Sequence, residues 1–182
     1  MSIKASVFIA TSLDGFIARE DGSVDWLPTP DESKSGEDYG YNAFIETVDA
    51  MVMGRHTYEF VSKFDKWFYG DLPVYVLSSR GVEIPGKLEK TVSTVSGSPT
   101  GVAKQLADLG YSHLYVDGGK TIQGFLSEGL IYQMTITQVP ILLGSGIPLF
   151  GPLPHDIKLD HLKTKSFANG LVQSRYEVIR DK

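Results

Sequence analysis

Apolar residues in this chain fall in short uninterrupted runs, separated by stretches of helical periodicity and by glycine-rich turns. "ASVFIA", "DAMVMG", "VYVLSS" and "HLYVD" are too short for helices and lack polar alternation, so they predict strands buried on both faces. A further short strand is expected near "KTVSTVS". Four helices are expected between the strands. The first has Ser35 as N-cap, Asp38 three positions on, and Tyr41, Phe44, Ile45 and Val48 on one face. "HTYEFVSKF" is the second. "SPTGVAKQLADLG" is the third, with Ser98 as cap, Pro99 at the first position and Gly110 as the stop. "KTIQGFLSEG" is the fourth and turns Ile122, Phe125 and Leu126 to the core. After "YQMTITQVPILL" the pattern changes. Residues 158–179 hold two strand-like runs joined by Asn169-Gly170, a hairpin signal. The fold class is therefore α/β, with a parallel first part and an antiparallel end.

Composition narrows this. A chain of 182 residues, 42% hydrophobic and 21% charged, is long enough for one domain spanning 1–182 with a full core, and reads as globular. It has no cysteine, which excludes disulfides and thiolate metal sites. A net charge of −5 argues against a broad nucleic-acid surface. The N-terminal apolar run is too short for a membrane span and has no cleavage pattern, so the chain reads as cytoplasmic, with no membrane partner. The four histidines, His56, His113, His155 and His161, have no helical ligand spacing, so no metal is expected. The acids Asp31, Glu32, Glu37 and Asp38 read as a solvated face, any one of which could still supply a proton.

Three strand ends carry candidate chemistry. "VMGRHTYE" passes from strand to helix at Gly54, with Arg55 and His56 next. A helix N-terminus offers free N–H groups and the positive end of its dipole, both suited to anions. "YVLSSR" ends on Ser78, Ser79 and Arg80. "LYVDGGKTIQGFL" places Gly118 and Gly119 before a helix that opens at Lys120 and Thr121. The last is not a P-loop, which would need glycine where Leu114 stands. It is not the Rossmann fingerprint either, because Lys120 occupies the place of the second glycine. In open α/β sheets ligands gather at the carboxyl ends of parallel strands, and a dinucleotide would use several such corners at once.

Taken in order, "VFIATSLDGFIA", "VDWL", "VMGRHTYE", "VYVLSSR" and "LYVDGGKTIQGFL" resemble the dihydrofolate reductase fold. "SLDGFIA" with "DGSVDWL" and "PILLGSGIPLF" is more similar to the reductase domain of the riboflavin-biosynthesis deaminase-reductase, and the chain resembles a small stand-alone member. The resemblance implies a three-layer fold, a mixed, mostly parallel sheet with helices on both faces, and NADPH as cofactor. It implies that Gly54, Arg55, His56 and Thr57 form the cofactor-phosphate corner. Leu77, Ser78, Ser79 and Arg80 correspond to the adenosine side, and Asp117, Gly118, Gly119, Lys120, Thr121 and Ile122 to the helix start under the pyrophosphate. Ala10, Asp14 and Gly15 would border the nicotinamide. Trp26, Tyr41 and Phe44 would line the substrate side.

The chain departs from both relatives. It has no carboxylate facing inward from the first helix, as a folate reductase requires, and no arginines near that helix to hold a ribose phosphate. The expected activity is thus hydride transfer to a small C=N or C=O substrate, with pterin reduction, or NADPH binding without turnover, as alternatives. Asp14 and Asp25 are the candidate proton donors, with a loop acid or water also open. Asp14 in "SLDG" equally fits a turn. Gly144-Ser145-Gly146 fits either a plain turn or a backbone nest. A homodimer is expected from the resemblance and from the apolar "PILLGSGIPLF" segment.

Overall fold

The computed structural model describes residues 3–28 and 36–180. Strands β1 (Lys4–Ser12), β3 (Ala50–Gly54), β4 (Val74–Leu77), β5 (Val92–Val95), β6 (His113–Asp117), β7 (Ile131–Val139), β9 (Leu159–Ser166) and β10 (Val172–Val178) form one sheet in the order β5-β4-β3-β6-β1-β7-β10-β9. The pairings from β5 across to β7 are all parallel. β10 runs antiparallel to both β7 and β9. Two short strands, β2 (Phe16–Ala18) and β8 (Ile147–Pro148), pair separately as an antiparallel ribbon.

Helices cover both faces because the central strands are apolar on both. In β3, Ala50 and Val52 join the cluster containing Val102 and Leu106 of α3 (Pro99–Asp108) and Ile122, Phe125 and Leu126 of α4 (Gly119–Ser127). Met51 and Met53 point the other way, to Tyr58 of α2 (Arg55–Val61) and to Tyr41, Phe44 and Ile45 of α1 (Tyr41–Ile45). All four β3 residues are fully buried, as an unbroken apolar run demands. The three-layer, mostly parallel architecture expected from the sequence is the one observed.

Two local expectations hold in detail. Ser98 caps α3, its hydroxyl accepting the Gly101 N–H at 3.1 Å. The β9–β10 hairpin turns at Asn169-Gly170, where Gly170 takes φ 86° and its N–H donates to the Phe167 carbonyl at 2.9 Å.

The first helix is corrected. It spans Tyr41–Ile45 with Gly40 at its N-cap, and the expected cap Ser35 lies outside the described residues along with Asp31 and Glu32. Tyr39 and Gly40 take φ 55° and 82°, a left-handed pair that no helix can run through. Asp38 instead closes the turn, accepting the N–H groups of Gly40 at 2.9 Å and Asn42 at 3.0 Å. Periodicity alone extended the helix past this turn.

Candidate active site

Register places the three strand ends beside one another. Gly54 lies opposite Leu77, and Met53 opposite Asp117, so α2 and α4 spring from adjacent strands. Their first turns meet. A Cβ on Gly118, at φ 94°, would lie 2.7 Å from Thr57 Oγ1, and one on Gly54 would lie 2.8 Å from Thr121 Oγ1. Only glycine permits this approach. Neither helix has a side chain capping its first turn, so backbone N–H groups, the Thr57 and Thr121 hydroxyls and two dipole ends converge on one spot.

The charged groups lie around this corner. Arg55 is partly exposed and its Nε is 3.7 Å from Glu59. His56 is largely exposed beside the same carboxylate, at 3.7 Å. Lys120, Ser79 and Arg80 are exposed. Ser78 is taken up by its own turn: its hydroxyl donates to the Gly81 carbonyl at 3.1 Å and accepts the Arg80 N–H at 3.3 Å. Gly119 has a different task from Gly118. A Cβ there would lie 3.1 Å from the Pro148 carbonyl and 3.2 Å from Ile17, so it seats the β2–β8 ribbon on α4. Ile122 is buried in the core beneath.

The two candidate proton donors are held ionised. Asp14 accepts the Ser12 hydroxyl at 2.6 Å, the Gly144 N–H at 2.8 Å and the Leu143 N–H at 3.1 Å. The Ser12 bond is the main reason its carboxyl stays below the ordinary value. Asp25 pairs with Arg19 at 2.6 Å on the surface, and that bond lowers its carboxyl too. Neither environment favours giving up a proton near neutral pH. The Gly144 N–H is committed to Asp14, and a Cβ on Gly146 would collide with the Ala18 carbonyl, so this segment is a packed turn rather than an open nest.

Asp117 is the carboxyl suited to proton handling. It ends β6, is partly buried, and is pushed up to about 6 by desolvation, against one bond from the Gly118 N–H at 2.9 Å. Its charge is felt by three phenols. Burial first, and Asp117 second, push Tyr41 up to about 12 and raise Tyr69 and Tyr115 as well. In the sequence Asp117 stands only as a cofactor neighbour, and Tyr69 and Tyr115 are not among the candidates. Tyr115 carried a weak signal, a lone phenol within the apolar "HLYVD"; Tyr69 carried none.

The substrate-side aromatics divide into two groups. Tyr41 and Phe44 pack on Phe8, with ring centroids 5.6 and 5.1 Å away, and Phe44 meets Tyr115 at 5.0 Å. They therefore border the Asp117 end of the sheet. Trp26 belongs to a separate cluster with Val139 and Leu171, against Ile141 and Leu143. Its buried indole N–H has no protein partner among the described residues. Ala10 pairs with Thr137 near the end of β1, and Gly15, at φ 87°, turns the loop beyond it. Recesses of about 380 and 280 Å³ lie at the other end of the sheet, lined in part by Lys4, Tyr132, Ile131 and Arg180, and share no residue with these corners. No metal-binding cluster occurs among the described residues, and no described helix is long and apolar enough to cross a membrane.

The sequence model of the RibD C-terminal domain matches residues 4–173. The chain belongs to this family. It is 36% identical over 178 residues to the Bacillus subtilis (strain 168) protein YwjB, covering 97% of this chain and 98% of that one. A crystal structure from Shewanella sp. PV-4, named provisionally as a riboflavin biosynthesis protein, is 42% identical and superposes with a TM-score of 0.89 over 98% of this chain and 100% of that one. The Thermotoga maritima diaminohydroxyphosphoribosylaminopyrimidine deaminase/5-amino-6-(5-phosphoribosylamino)uracil reductase shares the fold, with a TM-score of 0.75 at 13% identity over 98% of this chain and 57% of that one. Membership in the RibD C-terminal domain family and the sheet order agree with the resemblance read from the motifs.

Proposed function

We propose that the chain is an NADPH-dependent reductase acting on an electron-poor C=N or C=O group of a small heterocycle, similar to 5-amino-6-(5-phosphoribosylamino)uracil reductase. The observation that carries this reading is the meeting of two uncapped helix starts at Gly54 and Gly118. Neutral N–H donors, the Thr57 and Thr121 hydroxyls, and Arg55, Lys120 and Arg80 around them make a donor set matched to a pyrophosphate and a 2′-phosphate. A side chain at position 118 would fill the approach.

When bound, the cofactor supplies the hydride. The chain's own residues do the rest. Gly54–Thr57 and Gly118–Thr121 would hold the phosphates, Leu77–Arg80 would hold the adenosine side, and Ala10 and Gly15 would border the reacting ring. Tyr41 and Phe44 form an apolar wall that excludes water. Asp117, protonated in part near neutral pH, is the source of the proton that accompanies the hydride. Trp26 would support the substrate side from the Val139–Leu171 cluster behind it. The chain acts as one domain, as a cytoplasmic homodimer.

Calorimetric titration with NADPH and NADH, followed by absorbance assays of NADPH oxidation against pyrimidine, pterin and flavin-precursor panels, tests the reading. Tighter binding of NADPH than NADH and turnover with one panel member are expected. Failure of NADPH to bind removes the proposal. Light scattering is expected to report a dimer.

A further inference from the structure

One carboxylate ties together two loops 129 positions apart in sequence. Asp14, after β1, takes the N–H groups of Leu143 and Gly144 at 3.1 and 2.8 Å and the Ser12 hydroxyl at 2.6 Å. Ser12 is fully buried, and its oxygen also accepts the Phe16 N–H at 2.9 Å, so the hydroxyl that holds Asp14 is itself fixed. Two backbone bonds flank the tie: Leu13 N–H to the Ile141 carbonyl at 2.8 Å, and Leu149 N–H to the Gly15 carbonyl at 3.0 Å. The β2–β8 ribbon begins directly beyond the second bond, with Phe16 opposite Pro148.

The ribbon rests on the start of α4. Gly119 touches it through Pro148 and Ile17, and Gln123 Nε2 donates to the carbonyls of Pro148 and Leu149, each at 3.2 Å. The ribbon is thus fixed at one end by Asp14 and at the other by α4. Ile141 and Leu143 pack on the Trp26 cluster, but Leu13 and Leu142, which flank the tie itself, are 56% and 68% exposed. At the tie, polar bonds therefore act beside apolar packing. A carboxylate can accept three donors at once. An amide in its place has one acceptor oxygen and turns an NH₂ toward a backbone N–H.

We propose that Asp14 is a positioning residue, whose carboxylate latches the β2–β8 ribbon over the start of α4 and so fixes the wall beside the cofactor's reacting end. The latch stands on the protein alone; its effect on the cofactor rests on the reductase reading.

The test is amide hydrogen exchange on the full chain without ligand, comparing wild type, Asp14→Asn and Asp14→Ala. Exchange at Leu143 and Gly144 is expected to rise at least about tenfold in Asp14→Ala and by an intermediate amount in Asp14→Asn, while the α3 amides stay protected. Unchanged exchange at Leu143 and Gly144 overturns the latch. If Asp14→Ala does not fold, Asp14→Asn carries the same comparison. With NADPH added, the emission of the bound nicotinamide is expected to shift toward that of the free cofactor in the variants. Unchanged emission overturns the positioning role. Absence of NADPH binding to wild type overturns the reductase reading and the cofactor half of the proposal, while the exchange result still decides the latch.

Discussion

Gly54 stands opposite Leu77 in the parallel register of β3 and β4, so Arg55 and the Ser78–Arg80 turn leave the sheet side by side. Two cations just beyond neighbouring strand ends suit one dianion. Replacing both Arg55 and Arg80 with Ala is expected to weaken NADPH binding by about one to two orders of magnitude, the scale of one or two charge-assisted contacts. NADH binding should hardly change, because it lacks the 2′-phosphate. Calorimetry with both cofactors decides it, and equal losses would assign the arginines to the pyrophosphate or to the fold.

Gly118→Ala combines two penalties, a side chain at φ 94° and a Cβ 2.7 Å from Thr57 Oγ1. Left-handed strain costs about 1–2 kcal/mol and forced overlap in a packed site about 1–3. Urea denaturation should show a loss of about 2–5 kcal/mol. Adding Thr57→Ala removes the overlap but not the strain, and should restore about half of the loss. No recovery would place the contact elsewhere.

Asp117 gives a pH dependence of known sign. Its carboxyl is raised to about 6, so the folded chain holds the proton more tightly than the unfolded chain does. Its contribution to stability is full below the ordinary Asp value of about 4 and is lost as pH rises through about 6. Asp117→Asn should therefore gain about 1–2 kcal/mol relative to wild type at pH 8 and little at pH 4, allowing for partial exposure. Denaturation curves at the two pH values check the sign. If the variant also keeps full turnover, Asp117 is not the proton source.

Ser98→Ala removes the hydroxyl that accepts the Gly101 N–H at the start of α3. A loss of about 1 kcal/mol is expected, typical of an N-cap. Thermal melts should show it.

Family membership, strands, helices and the hairpin were legible from short patterns. "DAMVMG" showed burial on both faces, Ser98-Pro99 a helix start and Asn169-Gly170 a turn, because each depends on residues a few positions apart. The strand-to-helix corners at Gly54 and Gly118 were legible for the same reason, since a glycine between a strand and a helix is a local feature.

Other properties depended on contacts that the sheet order creates. Gly118 meets Thr57 only because β3 and β6 are neighbours. Asp14 became the tie between two distant loops rather than a poised acid because the fold brings the Leu143 and Gly144 N–H groups to it. Asp117 gained its raised carboxyl from burial beside Tyr41, Tyr69 and Tyr115, which reach it from three separate segments. Even α1 was shortened by the left-handed pair at Tyr39-Gly40, a region tied through the Tyr39 hydroxyl and carbonyl to Asn169 and Gln173 of the distant hairpin. Sequence patterns determine which groups a segment presents. Desolvation, hydrogen-bond partners and close approach depend on distance in space, and only the assembled sheet sets those distances.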